Sequence, residues 1–260
     1  MMASRAMRWD RVGKFQLGEK NRMLTRKSVF IAAIAGLASL TFGCGGGSGT
    51  PATPAAGTLT RMVSEDTFTF AVKGSSKYPT GYFSYSGTAV LVATDNVTLG
   101  SKSGLVKLTA TTNLSFNGEP GSSVSDTWYS YDANGNVLEV ANKDSEDPIF
   151  EQANPFLFLP GAYAVGQGGS YTKTNADDTT SNVTWEVHEK SVVTVPAGKF
   201  ETFVVKVIDT QSDGVVTKTE YYVAPQLGYP VKLEVKITGP GGVSQSDEGV
   251  LKSYTAAPRG

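Results

Sequence analysis

From Thr67 onward, hydrophobic and polar residues alternate with a period of two rather than 3.6, as in Thr67-Phe68-Thr69-Phe70-Ala71-Val72 and Gly81-Tyr82-Phe83-Ser84-Tyr85. Valine, threonine, tyrosine and phenylalanine dominate these runs, and such residues suit a pleated, half-buried surface. The same alternation predicts strands at 86–93, 105–116, 124–131, 136–141, 183–195, 200–210, 215–223, 231–237 and 248–254. No window carries the repeat of an amphipathic helix.

Turn chemistry falls between the runs. Asp132-Ala133-Asn134-Gly135-Asn136 separates Trp128–Tyr131 from Val137–Val140, and Ser212-Asp213-Gly214 separates two later runs. Asn-Gly and Asp-Gly supply the positive φ of tight hairpins. Strands joined so closely pair antiparallel, because a parallel pair needs a crossover of a dozen or more residues. The expectation is an all-β antiparallel meander over residues 58–260, forming one strongly curved sheet, an open half-barrel or a two-sheet sandwich. About 200 residues suffice for one such domain.

The stretch from Asp147 to Gly169 breaks the pattern, with Asn154-Pro155-Phe156-Leu157-Phe158-Leu159-Pro160-Gly161 apolar between prolines and glycines. Proline disfavours a central strand. A connector is expected, its Phe156 and Phe158 plugging the core; the functional alternative makes them the lip of a hydrophobic ligand site.

The N-terminal part reads differently. Arg26 and Lys27 precede an uncharged run from Ser28 to Gly43, which ends in Leu40-Thr41-Phe42-Gly43-Cys44. A basic start, an apolar run too short to span a bilayer and a small residue before the cut define an exported leader. Residues 1–43 are therefore assigned as signal peptide, with Met23 as the expected true start. The following CGGGSGTPATPAAG, residues 44–57, has nothing to bury and reads as a flexible tether.

A small residue before a lone cysteine resembles the lipobox of bacterial lipoproteins. The leucine usual three places before the cysteine stands one place early, at Leu40, with Thr41 in that slot. The resemblance implies cleavage between Gly43 and Cys44, lipidation of Cys44 and anchoring in the cell envelope. Gly45, rather than aspartate, after the cysteine resembles lipoproteins of the outer membrane, where the organism has one. Ordinary secretion is the alternative.

Removal of the leader changes the charge. It holds 8 of the 23 Lys+Arg and 2 of the 24 Asp+Glu, leaving 15 − 22 = −7. That sign, without a basic cluster, argues against nucleic acid as a partner.

The inventory for chemistry is short. His188 is the one histidine and Cys44 the one cysteine. A nucleophilic triad must be built on His188, which alternation places opposite Val183, Trp185 and Val187, toward solvent or a strand edge. Zinc needs several Cys or His ligands. Asp132, Asn134 and Asn136 resemble the opening of a calcium loop, but Gly135 is misplaced and Lys143 stands where the glutamate should be. Glu186 with Glu189, and Asp144 with Glu146 and Asp147, are close in sequence without forming a site. Trp128, Tyr129, Tyr131, Trp185, Tyr221 and Tyr222 could stack on sugars if exposed, but alternation suggests that most are core. The expectation is no catalytic residue, no metal and no cofactor.

Two segments carry a family resemblance: Val195-Pro196-Ala197-Gly198-Lys199-Phe200, and Tyr222-Val223-Ala224-Pro225-Gln226-Leu227-Gly228-Tyr229-Pro230-Val231-Lys232. Each supplies turn chemistry between strands. Together they resemble a family of uncharacterised bacterial exported proteins and lipoproteins, over about residues 156–237. Some relatives look like the half-open barrels of lipoprotein-carrier proteins, which implies a second reading as a carrier of lipid or another hydrophobic ligand. A carbohydrate-binding or hydrolytic surface protein is the third. An envelope-protein partner is compatible with the first.

Overall fold

The computed structural model describes residues 57–79, 81–144, 148–175 and 179–258; Gly43, Cys44 and almost all of the expected tether lie outside them. Twelve strands follow one another: β1 Thr67–Tyr78, β2 Gly81–Leu99, β3 Lys102–Phe116, β4 Glu119–Tyr131, β5 Val137–Asp144 and β6 Phe150–Leu159, then β7 Gly168–Thr174, β8 Thr180–Val195, β9 Gly198–Gln211, β10 Val216–Ala224, β11 Tyr229–Gly239 and β12 Val243–Thr255. Short 3-10 turns at Pro225–Leu227 and Pro240–Gly242 punctuate the last three.

All the strands belong to one antiparallel sheet, ordered β6-β5-β4-β3-β2-β1-β12-β11-β10-β9-β8-β7. Two six-stranded meanders are thus joined where the first strand meets the last, with Thr67 opposite Thr255 and Lys77 opposite Ser244. The sheet curls until its edges, β6 and β7, face each other across one unsealed seam. It is a nearly closed barrel rather than a two-sheet sandwich.

Alternation decides which side is inside. Phe68, Phe70 and Val72 of β1, Ala89 and Leu91 of β2, and Val205 and Val207 of β9 are buried. Their neighbours in sequence are more exposed, except Val204, which is also buried. The barrel axis is filled by rings: Phe158 of β6 lies 5.0 Å from Tyr129, 6.1 Å from Tyr229 and 6.2 Å from Tyr221, centroid to centroid. Phe68 adds a tilted contact to Tyr229 at 5.3 Å. Rings this close favour edge or offset contact, adding to their area burial.

One barrel end is capped by the segment before β1. Leu59 N–H donates to Gly161 O at 2.9 Å, Thr60 N–H to Pro225 O at 2.8 Å, and Met62 N–H to the Tyr131 hydroxyl at 3.0 Å. Met62 is fully buried there. Gly57, assigned from sequence to the tether, is already buried against Phe203 and Tyr163. Asp66 closes the domain by accepting the N–H of Ala257 at 2.9 Å.

Two regions differ from the sequence expectation. The stretch expected as a connector contains strand β6, and residues 168–174 form β7, which alternation had not marked. Both are edge strands. Proline is tolerated on an edge because no ladder partner needs its missing N–H, which accounts for Pro155 within β6.

A Phe158→Ala substitution would leave a void among three tyrosines. It is expected to lower unfolding free energy by about 3–5 kcal/mol, measured by urea denaturation; a change below about 1 kcal/mol would contradict this account of the core.

Candidate functional site: an outer groove and a buried cluster at the seam

A groove of about 580 Å³ opens on the outer side of β1, β2, β11 and β12, walled by the β3–β4 turn. Its wall follows from sequence. Phe116 pairs with Glu119, so Asn117 and Gly118 form a two-residue hairpin turn, with φ of 47° and 95°. Positive φ at both positions is what Asn-Gly supplies. Asn117 then extends the β2–β3 ladder: its N–H donates to Ser84 O at 3.0 Å, and its Oδ1 accepts the Ser84 N–H at 2.9 Å.

The floor depends on a missing side chain. Tyr85 of β2 and Asp247 of β12 both pair with Gly74 of β1 and point inward. The Tyr85 hydroxyl reaches across Gly74 to donate to Asp247 Oδ1, where a Cβ on residue 74 would collide with both partners. Gln245 Nε2 donates to Asp247 Oδ2 at 2.7 Å. Burial raises the Asp247 carboxyl to about 6, although both hydrogen bonds favour its charged form.

On the outer face the register aligns polar side chains in rungs. Ser84, Ser75, Ser246 and Lys236 stand opposite one another across β2, β1, β12 and β11. The next rung holds Ser86, Lys73, Glu248 and Glu234. Lys73 pairs with Glu248, and Lys232 reaches Glu234 at 2.7 Å and Glu248 at 3.8 Å.

A second cluster lies inside, beside the seam. Glu139 of β5 is fully buried. Its Oε1 accepts from Asn142 Nδ2 at 3.0 Å, while its Oε2 has no hydrogen-bond partner among the described residues. Burial pushes its carboxyl up to about 8, with the Asn142 and Gln152 amides and the Lys173 ammonium pulling the other way. Lys173 of β7 forms a 2.8 Å ion pair with buried Asp209 of β9. It also stands 6.0 Å from the ring of Phe156, which stacks on Tyr171 at 6.2 Å across the seam.

The sequence-marked residues scatter. Phe156 and Phe158 are 4 % and 0 % exposed and face the interior. Trp128, Tyr129 and Tyr221 are buried; Tyr131, Trp185 and Tyr222 are half-buried. His188 is exposed, with Nδ1 2.7 Å from Glu186 Oε1 and no other hydrogen bond among the described residues. The Asp132 carboxylate accepts the Asn134 and Asn136 N–H groups at 2.8 and 2.9 Å, as in a hairpin turn. Among the described residues no three His, Cys, Asp or Glu side chains gather to hold a metal, and no helix is long and apolar enough to cross a membrane. Sequence reading missed the groove and the seam cluster. Asn117-Gly118 was the available signal for the groove wall, and Glu139, in phase with Val137, for the cluster.

No protein-family model matches the chain, and no curated protein does. Two solved structures overlap with it. One is a Bacteroides fragilis protein described as exported and of YmcC-like fold, with 14% identity and TM-score 0.38, covering 77% of this chain and 100% of that one. The other is a Parabacteroides distasonis protein described as a lipoprotein, with 16% identity and TM-score 0.32 over the same shares. Overlap at that level carries no argument about function.

Gly74→Ala is expected to destabilise the domain by about 1–3 kcal/mol, because a Cβ must displace Tyr85 or Asp247; chemical denaturation measures it. The second expectation concerns pH. Glu139 keeps its proton in the folded state to about pH 8 but loses it near 4.5 when unfolded. The unfolded chain therefore binds fewer protons in between, and this stabilisation, present below pH 4.5, is lost as pH rises to about 8. At about 1.36 kcal/mol per pKa unit the loss is of order 5 kcal/mol. Glu139→Gln should flatten the fall in thermal midpoint between pH 5 and 8.5; an unchanged slope would assign it elsewhere.

Proposed function

We propose that this chain is a lipid-anchored protein of the bacterial cell envelope whose barrel acts by binding rather than catalysis. One observation carries the anchor: the single cysteine, Cys44, stands where a short apolar leader ends, and the described domain begins only at Gly57. Acyl chains add about 0.8 kcal/mol per buried CH₂, so two or more hold a protein stably without help from its surface. Gly45 favours the outer membrane in a host that has one.

Binding is supported on the outer groove rather than along the barrel axis. The axis is occupied by Phe158 and the tyrosines around it, whereas the groove has the size of a small-ligand site. The non-catalytic reading rests on His188, which is exposed, engaged by Glu186 and not among the residues lining the groove.

The anchor is tested by expressing the full chain and its Cys44→Ala variant in a diderm bacterium fed an alkyne-tagged palmitate. The native chain is expected to take the label and sediment with membranes, and the variant to do neither. A native chain that stays unlabelled, or a variant labelled as strongly as the native chain, would refute lipidation at Cys44.

A further inference from the structure

We infer that the outer groove binds an anionic saccharide, a sugar chain bearing carboxylate or phosphate groups. This deepens the binding role proposed above and rests on the groove being its working surface.

Hydroxyl chemistry comes first. Ser75, Ser84, Ser86, Ser115 and Ser246 line the groove, with Asn117 at its wall. Neighbours across the strands stand about 5 Å apart, and successive outward residues on one strand about 7 Å. A grid of hydroxyls at those spacings can donate to and accept from the alternating hydroxyls of a sugar chain. An apolar ligand would leave it unsatisfied.

Charge is the second observation. Glu234 and Glu248 are engaged by Lys232 and Lys73. Lys236, in the serine rung, is exposed and forms no ion pair among the described residues. Its cross-strand neighbour is another exposed lysine, Lys218, likewise without an ion pair among the described residues. Like charges directly opposite are destabilising by themselves. In a mature chain of net charge 15 − 22 = −7, this pair suits a ligand that brings negative charge to the hydroxyl grid.

An exposed ring is the third. Tyr82 is 67 % exposed, the most exposed large hydrophobic side chain described, and precedes Ser84 on the same face of β2. It thus stands one strand step beyond the serine rung, where a sugar ring leaving the groove could stack on it. A tyrosine offers a flat apolar face with a polar tip, the chemistry that stacks on a sugar ring.

The full chain, purified in a non-glycoside detergent, would be titrated calorimetrically with hexagalacturonate, a phosphorylated oligomannose, neutral maltohexaose and hexaglutamate. Binding of at least one anionic sugar, tenfold or more above maltohexaose and hexaglutamate, is expected. Lys236→Gln should weaken it fivefold or more and reduce its salt dependence, Tyr82→Ala should weaken it tenfold, and Lys236→Arg should retain it. Silence toward both anionic sugars, equal binding of hexaglutamate or maltohexaose, or indifference to both Lys236→Gln and Tyr82→Ala would overturn the inference. Both side chains are exposed, and an unchanged thermal midpoint confirms that each variant folds. A chain that takes palmitate yet ignores both sugars refutes this inference alone; one that binds sugar without taking palmitate refutes only the anchor.

Discussion

The ladder between β1 and β12 makes one barrel out of two meanders. Each half, β1 to β6 and β7 to β12, consists of strands paired with their neighbours in sequence, which local turns can assemble. Neither half alone encloses its apolar face. Pairing Thr67 with Thr255 through to Lys77 with Ser244 joins residues separated by nearly the whole described chain. Such a contact is entropically late to form, yet the ring cluster around Phe158 needs it: Tyr129 and Phe158 come from the first half, Tyr221 and Tyr229 from the second.

The joining ladder also organises the polar features. Gly74 lies three residues from its Lys77–Ser244 end, and the absence of a side chain there lets Tyr85 bond to Asp247 over the top of β1. The same register sets serines of β1, β2 and β12 in line on the outer face. At the opposite side, where no ladder closes the sheet, the contacts between β6 and β7 include a stacked ring pair and the approach of Lys173 to Phe156. Lys173 and Asp209 put a buried ion pair beside that seam, next to the protonated carboxyl of Glu139. Such a pair adds little net stability, but removing one partner is costly.

Most of the sheet was legible in the sequence because its strands bury one face only, and Thr67-Phe68-Thr69-Phe70 announces that directly. β6 and β7 were not. Phe156, Leu157, Phe158 and Leu159 are all buried, which erases the alternation, and Gly168-Gly169-Ser170 carries almost none. The groove was beyond sequence reading for another reason. Its serines come from four different strands, and register between distant strands depends on irregularities such as the one at Thr69/Phe70. Glu139 is in phase with buried Val137, but which groups meet its carboxyl is set by the curled sheet, which brings Asn142, Gln152 and Lys173 to it.

The direction of β1 has a mechanical consequence. Its first residue, Thr67, follows the capping segment at one barrel end, whereas Gly74 and the groove floor lie seven residues further along, about 20 Å at roughly 3.3 Å per residue. Fourteen residues from Cys44 to Gly57 reach at most about 50 Å when fully extended. If Cys44 is the membrane attachment proposed above, the barrel is held by one end, and its groove is offered at the far end to whatever lies beyond the lipid surface. Shortening the leash would then limit how far the groove can search without altering how tightly it holds what it meets.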